Sequence, residues 1–156
     1  PMEIPIKINR ATVSDLSEIE FIRFSYLSIG KKPVSNIFEE SIRNLTDTFL
    51  VARYENQVVG YILGSLQSMI PKHIEVKEIA IHPDHKGQGF GTLLLASLKQ
   101  VTVEFNYQGI CLNCPDELSS YFEMNGFVEV EMPNSLYETN SNFSLVWMNP
   151  FFEEIL

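Results

Sequence analysis

The sequence predicts an α/β fold in which one mixed sheet of about seven strands carries helices on both faces. Apolar residues recur with strand and helix periods in the order β-α-α-β-β-β-α-β-α-β-β. No repeat, linker or low-complexity tract interrupts that series. A chain of 156 residues has the length of one domain. We therefore expect residues 1–156 to form a single domain, with Pro1 ahead of Met2 an expression remnant.

The first half of the chain is predicted to hold four strands and two helices. Asp15-x-x-Glu18 has the spacing of a capping box, so it opens the first helix, which Gly30 and Pro33 end. The apolar side of that helix is expected to carry Leu16, Ile19, Phe21, Ile22 and Leu27. A shorter helix is expected at residues 35–45. The strands are expected at residues 4–10, 48–54, 58–66 and 73–81, with a hairpin turn at 55–57.

The second half is predicted to alternate helices and strands. A helix over residues 89–104 should face the sheet with Leu93, Leu94, Ser97, Leu98, Val101 and Phe105. A strand at 109–113 leads to a helix that starts at Cys114-Pro115-Asp116-Glu117 and ends at Asn125-Gly126. Strands at 127–131 and 143–148 complete the sheet.

Charge and hydropathy exclude several classes of function. The net charge is −9, which argues against nucleic acid because phosphate backbones require a basic surface. The same charge mildly favours cationic substrates, although solubility alone accounts for it. No apolar run approaches the ~20 residues needed to cross a membrane. The N-terminus shows no signal segment, so we expect a cytoplasmic protein.

The two cysteines form the spacing C-x-x-C at Cys111 and Cys114. Such a pair can be a redox couple or half of a zinc site. A zinc site needs four ligands, and the histidines (His73, His82 and His85) lack paired ligand spacing. We expect reduced thiols and no metal, with Cys111 as a small apolar residue of a strand.

Three glycines on alternate positions are the most informative feature of the chain. Gly87, Gly89 and Gly91 follow a strand that ends at His82-Pro83, and a leucine-rich helix begins at once. Glycine lets the backbone approach a ligand, and the first turn of a helix presents N–H donors and a partial positive charge. This combination predicts a phosphate-type anion site. The dinucleotide and P-loop glycine patterns both fail on spacing.

This stretch resembles the signature of the GNAT superfamily of N-acetyltransferases. In that family a strand ending "(I/L)-A-(V/I)-H-P" leads into a loop "(Q/R)-x-x-G-x-(G/A)". The strand end is matched by Ile79-Ala80-Ile81-His82-Pro83, and the loop by Lys86-Gly87-Gln88-Gly89-Phe90-Gly91. Lys86 stands where the family prefers Arg or Gln, which keeps the charge but not the planar fork. Two further segments look like family elements, Ile8–Leu16 and Tyr121–Phe127.

The resemblance implies the fold and the cosubstrate. The sheet would be mixed and mostly antiparallel, and the protein would transfer acetyl groups from acetyl-CoA to an amine. The loop residues Lys86, Gly87, Gln88, Gly89, Phe90, Gly91 and Thr92 would hold the diphosphate. The main chain of Ile79, Ala80 and Ile81 would pair with the pantetheine arm, and Asn113 would be a further cofactor contact. His85 could help neutralise phosphate, but an exposed loop histidine is the preferred interpretation.

The acceptor amine needs a base. An amine with a pKa near 10.4 is neutral in only about one molecule in 2,500 at pH 7. Some relatives carry a carboxylate at the position of Glu75, and Glu78 is the other acid on the strand. Successive strand residues alternate faces, so these two point to opposite sides unless a bulge intervenes. A solvated strand acid, or a base supplied by water or another residue, is the alternative.

The leaving thiolate is the easier problem, because a thiol pKa near 8.5 makes the anion tolerable. Many relatives place a tyrosine where this chain has Phe122, and Tyr121 is its neighbour. Three possibilities stay open: a backbone shift that brings Tyr121 to the sulfur, another hydroxyl such as Tyr137, or departure without an acid, which we favour. Tyr121 is otherwise a packed amphipathic aromatic.

The acceptor itself is not specified by the sequence. The resemblance places its pocket at residues 21–45 and 131–143, which mix aromatic and acidic side chains. A small molecule or a protein or peptide amino group fits this composition, and a homodimer is common in such folds. The alternative function is a non-catalytic CoA-binding regulatory module.

Overall fold

A computed structural model describes residues 5–26, 43, 47–131 and 142–155 of the chain. The described residues contain seven strands and three helices. The strands are β1 (Ile6–Arg10), β2 (Phe49–Tyr54), β3 (Gln57–Ser65), β4 (His73–Ile81), β5 (Gly109–Pro115), β6 (Val128–Val130) and β7 (Asn142–Met148). The helices are α1 (Leu16–Tyr26), α2 (Phe90–Glu104) and α3 (Asp116–Met124). In this part of the chain, no helix is long and apolar enough to span a bilayer.

The strands form one sheet in the order β1-β2-β3-β4-β5-β7-β6. β4 pairs with β5 in parallel, whereas β1–β2, β2–β3, β5–β7 and β6–β7 are antiparallel. The prediction of a mixed, mostly antiparallel sheet of about seven strands is therefore confirmed. The helix predicted at 35–45 lies outside the described residues, apart from Arg43, which is helical.

The turn between β2 and β3 is a two-residue hairpin. Tyr54 pairs with Gln57, and the central residues Glu55 and Asn56 have φ of +50° and +68°. Left-handed conformations at both central positions match the right-handed twist of the strands on either side. The turn is one residue shorter than predicted, because Gln57 already belongs to β3.

The described chain divides into two compact units. The first comprises the described residues up to 64 together with 78–98, and the second comprises 65–77 together with the described residues from 99 onward. The core of the first unit is built by apolar side chains of α1, β2, β3 and β4, namely Ile19, Ile22, Phe49, Val51, Val58, Tyr61, Leu63 and Ala80. Ile19 and Ile22 are fully buried, and burial of each stabilises the fold by about 1.5–3 kcal/mol.

The capping box ahead of α1 lies three residues earlier in the chain than predicted, with Thr12 and Asp15 in the roles expected of Asp15 and Glu18. The N–H of Thr12 donates to Oδ2 of Asp15 over 2.9 Å, so Asp15 closes a short 3₁₀ turn that precedes α1. Glu18 does not act in a capping box, since its Oε2 accepts a hydrogen bond from the N–H of Val58. Phe21 was predicted to lie on the apolar side, but its side chain is 58% exposed.

The buried stripe of α2 also differs in part from the predicted one. Leu94 and Leu98 are fully buried as predicted, but Leu93 is 39% exposed. Leu95 and Thr102 are fully buried in its place. A stripe at positions 94, 95, 98 and 102 follows the 3.6-residue period closely. Phe105, also predicted to face the sheet, lies beyond the last helical residue and is 52% exposed.

The second unit is organised around β5 and β7, which pair along seven positions from Gly109↔Met148 to Pro115↔Asn142. A Cβ on Gly109 would lie 2.4 Å from the carbonyl oxygen of Trp147, so only glycine fits there. α3 ends at Asn125-Gly126 as predicted, and Gly126 has a φ of +91°. Nζ of Lys99 donates to the carbonyl of Asn125 and lies over the ring of Trp147.

Candidate functional site

The candidate site begins where β4 ends. The N–H of His82 donates to the carbonyl of Val59 over 2.7 Å, which joins the residue after β4 to β3. Pro83–His85 then form a 3₁₀ turn, and Nδ1 of His82 accepts a hydrogen bond from the N–H of Asp84 over 3.0 Å. Proline at the start of this turn prevents the strand from continuing. The chain therefore leaves the sheet at a fixed point.

The glycine loop follows this turn. Gly87 and Gly89 have φ of +76° and +89°, a region that side chains disfavour, and a Cβ on either would meet nothing within 4 Å. These glycines are therefore required by backbone conformation and not by crowding. Their surroundings are open, and Lys86, Gln88 and both glycines are exposed.

The first turn of α2 follows directly on the glycine loop. Phe90 is 3% exposed and anchors the helix start, while the N–H of Leu93 donates to the carbonyl of Gly89 over 3.1 Å. Gly91 is buried and Thr92 exposed in this turn. Helix geometry directs the N–H groups of a first turn outward, together with the positive end of the helix dipole. Open glycines followed by the first turn of a helix are an arrangement in which proteins commonly bind phosphate groups.

A cluster of aromatic rings packs around His85, next to the glycine loop. The ring of His85 lies 6.0 Å from those of Tyr54 and Phe90 and 5.5 Å from that of His82. Nδ1 of His85 is buried and has no hydrogen-bond partner among the described residues. The preferred interpretation of His85 as an exposed loop residue was therefore wrong, because the ring is half-buried and packs the turn.

The strand residues assigned to the pantetheine arm use their side chains for packing. Ala80 is 4% exposed and belongs to the core of the first unit. Ile81 packs against Gly60, where an added Cβ would lie 2.6 Å from Cδ1 of the isoleucine. Ile79 is half-buried. Any role of these three residues in ligand binding would therefore fall to their main-chain groups, as the resemblance implied.

Glu78, one of the two candidate bases, is fixed by hydrogen bonds. Nε of Arg23 and the hydroxyl of Tyr61 donate to Oε1 over 2.9 and 2.8 Å, and Nη2 of Arg23 lies 2.9 Å from Oε2. The side chains of Arg23 and Glu78 are only 9% and 19% exposed. Both oxygens of Glu78 therefore already accept hydrogen bonds from strong donors.

Glu75, the other candidate, lies in the second unit. Its Oε1 accepts a hydrogen bond from the N–H of Met69 over 3.0 Å, and its Oε2 lies 2.6 Å from Nζ of Lys77. The side chain of Glu75 is 10% exposed, whereas that of Lys77 is 36% exposed. Glu75 also borders a cavity of about 10 Å³, next to Cys111 and Ser144. A cavity of this size has room for one water molecule.

The other candidate residues of the second unit have structural partners. Phe122 is 4% exposed and packs edge-on against Phe127, so it is a core residue of α3. Tyr121 is 37% exposed and contacts the ring of Phe122. Asn113 accepts a hydrogen bond from the hydroxyl of Ser144 over 2.7 Å. Tyr137 lies outside the described residues.

The two cysteines are free and buried. They are three positions apart on β5, and since side chains alternate along a strand they face opposite sides of the sheet. A disulfide between them is therefore geometrically excluded, and Cys111 is the buried strand residue that was predicted. Burial raises the pKa of both thiols. Among the residues the structure describes, no three His, Cys, Asp or Glu side chains come together as metal ligands.

Sequence reasoning missed Arg23 and Tyr61. Arg23 lies four residues after the buried Ile19, so it falls on the buried face of α1. A cation on an apolar helix stripe requires a buried partner, and this signal was available in the sequence. Tyr61 carries no such signal, because a tyrosine in an apolar strand is equally a core residue.

Comparison with known proteins agrees with this geometry. The sequence pattern of the Acetyltransferase (GNAT) family matches residues 14–118. L-2,4-diaminobutyric acid acetyltransferase from Nocardia farcinica (strain IFM 10152) is 32% identical over 56 residues, which are 36% of this chain. The match spans 29% of the length of that relative.

The fold is also found in solved structures. Ard1 from Thermoplasma volcanium superposes with a TM-score of 0.74 at 19% identity, over 93% of this chain and 98% of that one. The PaiA N-acetyltransferase from Thermoplasma acidophilum, solved with coenzyme A, gives a TM-score of 0.66 at 18% identity, over 93% and 99% of the two chains. These likenesses show the fold. Since the family pattern covers about two-thirds of the sequence, the chain belongs to the acetyltransferase (GNAT) family.

Proposed function

We propose that this protein is an acetyl-CoA-dependent N-acetyltransferase, in which a primary amine attacks the thioester directly. The observation that carries the proposal is the left-handed backbone at Gly87 and Gly89, immediately before the first turn of α2. Such a loop presents main-chain donors to a diphosphate without side chains in the way. Membership of the family supports the same cosubstrate.

The cosubstrate would be bound mainly by main-chain groups. The N–H groups from Gly87 to Thr92 would hold the diphosphate, with Lys86 adding a positive charge. The main chain of Ile79, Ala80 and Ile81 would pair with the pantetheine arm and polarise the thioester carbonyl, an interaction for which one lost donor typically costs about 3 kcal/mol. Asn113 is the weakest of the proposed contacts, because Ser144 already uses its carbonyl oxygen.

Glu75 is the general base that we favour. A bidentate arginine that is itself buried locks Glu78, whereas Glu75 is paired with Lys77, a half-exposed lysine on a flexible stem. Movement of Lys77 releases one oxygen of Glu75 to accept a proton, directly or through a water in the neighbouring cavity. Glu78 then serves to neutralise Arg23 and to hold α1 against β4.

The thiolate is proposed to leave without a general acid. Phe122 has no proton to give, and its buried ring fills the core of α3. Tyr121, which is partly exposed on the same helix, is the hydroxyl to test as an alternative. If Tyr121 donates a proton, Tyr121→Phe lowers the rate. If the thiolate leaves unaided, that variant keeps the parent rate.

The acceptor is proposed to be a primary amine of a small molecule or of a peptide. A relative named for diaminobutyric acid and a net charge of −9 both favour a cationic acceptor. Of the expected acceptor segments at 21–45 and 131–143, residues 27–42, 44–45 and 132–141 lie outside the described residues. A cytoplasmic location, a single domain, a possible homodimer and the absence of nucleic-acid partners remain predictions from the sequence.

A buried phenylalanine at the family's usual acid position also suits the alternative of a non-catalytic CoA-binding module. One assay separates the two functions: release of free thiol from acetyl-CoA in the presence of a panel of primary amines, beside CoA binding by calorimetry. Thiol release that depends on an amine supports the enzyme. Binding without release from any amine supports the module, and absence of both contradicts the proposed loop.

A further inference from the structure

A second cleft lies in the first unit, beside α1 and the start of β3. It has a volume of about 300 Å³ and is lined by Ser17, Glu18, Phe21, Gln57, Val58 and His82. These residues come from the first two turns of α1, the start of β3 and the position after β4. The volume is at the lower end of the range of small-molecule sites.

Glu18 provides a carboxylate in a fixed position. The N–H of Val58 donates to its Oε2 over 2.9 Å, so the main chain of β3 orients the side chain. Its other oxygen, Oε1, has no partner among the described residues and is able to accept from a ligand. A carboxylate oriented in advance loses less conformational entropy when it binds a ligand than a freely rotating one.

Phe21 provides an aromatic wall. Its ring lies against the imidazole of His82, with centroids 5.5 Å apart and planes 28° from parallel. The side chain nevertheless stays 58% exposed, although it belongs to the apolar residues of α1. His82 is fixed in turn, because its Nδ1 accepts from the N–H of Asp84. The phenyl ring is thus held in place while much of it remains open to a ligand.

The side chains that line the cleft favour a positively charged ligand. A carboxylate beside an aromatic face attracts a cation that carries carbon, because the ring quadrupole and the anion both favour positive charge. Among the described residues, no lysine or arginine lines the cleft. The net charge of −9 adds a long-range attraction of the same sign.

We propose that this cleft binds a small organic cation, a primary or quaternary ammonium with a short carbon skeleton. The ammonium lies against Glu18, and its methylene or methyl groups lie against Phe21. The site stands on the geometry of the cleft and goes beyond the acetyl transfer proposed above, on which it does not depend.

The test is a titration of the ¹⁵N-labelled protein with benzyltrimethylammonium chloride, followed by amide chemical shifts at constant ionic strength. We expect saturable shifts at Ser17, Glu18, Phe21, Val58 and His82. Benzyl alcohol, which has the same ring without the charge, should give shifts that do not saturate in the same range. Glu18→Gln and Phe21→Ala should each weaken binding about three- to fivefold.

Matched controls are available on the same helix. Glu20→Gln and Phe24→Ala make the same chemical changes at exposed positions that do not line the cleft, and Phe24 is 59% exposed. Both should bind the probe like the parent protein. Circular dichroism melts of all four variants establish that they are folded before any loss of binding is interpreted.

Several outcomes overturn the proposal: no saturable shift, equal shifts with benzyl alcohol, or equal weakening in the control variants. The outcome of this titration does not decide the acetyl-transfer proposal. A protein that releases thiol from acetyl-CoA but ignores the cation contradicts this site alone. A protein that binds the cation at Glu18 but fails to bind CoA contradicts the loop alone.

Discussion

The guanidinium of Arg23 holds the carboxylate of Glu78 at both ends, with Nε 2.9 Å from Oε1 and Nη2 2.9 Å from Oε2. The hydroxyl of Tyr61 adds a third donor at 2.8 Å. This pair links α1 to β4 inside the first unit. A strand acid that looked like a candidate base is therefore, by its contacts, a partner for a buried cation.

Loss of this pair should cost stability. Glu78→Gln leaves the charge of Arg23 in a site that is only 9% exposed, so we expect a loss of about 3 kcal/mol in the free energy of unfolding. Asp47→Asn is the matched control, because Asp47 pairs with Arg10 where both side chains are at least 40% exposed. That change should cost less than about 1 kcal/mol. Equal effects of the two substitutions in urea denaturation would contradict this account.

Glu75→Gln should affect the rate instead. With the amine that gives the fastest thiol release, we expect kcat at pH 7 to fall by a factor of about 10² to 10⁴ while CoA affinity is unchanged. The parent rate should rise with pH as the amine loses its proton, and the variant should need a higher pH for the same rate. A loss of less than tenfold would remove Glu75 from the role of base.

The backbone at Gly89 allows a graded test of the phosphate loop. An added Cβ meets no neighbour within 4 Å, so substitutions act only through the φ of +89°. Asparagine tolerates left-handed φ better than alanine, and a β-branched residue tolerates it least. CoA affinity measured by calorimetry should therefore fall in the order Gly, Asn, Ala, Val, while circular dichroism at the assay temperature shows every variant to be folded. If the affinity falls in the order of side-chain volume instead, the substituted side chain is in steric contact with the ligand.

Asp15 should make stability depend on pH. Its burial by itself raises the pKa of the carboxyl, but hydrogen bonds from Arg53 (2.7 Å) and Thr12 outweigh this, and the pKa lies below its ordinary value. The ionised form thus stabilises the fold above the unfolded pKa of about 3.9, and this contribution is lost as pH falls through the folded pKa.

Urea denaturation of Asp15→Asn between pH 7 and pH 2.5 measures this contribution. The difference from the parent protein should be full at pH 7 and should shrink below about pH 4, since the protonated parent resembles the amide. Arg53→Met should shrink the difference at pH 7 as well. A difference that stays constant across this range would mean that Asp15 acts through shape and not through charge.

The buried thiols should be unreactive in the folded protein. Burial raises the pKa of Cys111 and Cys114, and nearby carboxylates raise it further, so little thiolate is present near neutral pH. Iodoacetamide at pH 7.5 should modify both at least about tenfold more slowly than in urea. Rapid labelling of Cys111 in the native protein would show that β5 opens, and mass spectrometry of the labelled peptides distinguishes the two sites.

Local patterns were sufficient to predict most of the fold. The hairpin at Glu55-Asn56, β4 over residues 73–81 and the helix end at Gly126 are set by residues close in sequence, through turn chemistry and alternation. The glycine loop was predictable for the same reason, because its conformation depends on glycines and a following helix start. These features are read from neighbours along the chain.

The misplaced features depend on contacts between distant residues. Glu18 was assigned to a capping box, but the N–H of Val58, 40 positions away, uses its carboxylate. Phe21 was assigned to the core, but it stacks on His82 at the surface. The choice between Glu75 and Glu78 required knowledge of Arg23, whose partner is 55 positions away. The periodicity of one segment does not show which residues of another segment will contact it.

The two-residue hairpin between β2 and β3 leaves room for engineering. Glu55 adopts a φ of +50°. This left-handed conformation costs a residue such as glutamate about 1–2 kcal/mol of stability, whereas the sequence Asn-Gly adopts the same turn with little strain. Rewriting Glu55-Asn56 as Asn-Gly should raise the melting temperature without altering any proposed ligand contact. The natural sequence keeps this backbone strain, so the hairpin offers a starting point for a thermostable form of the protein.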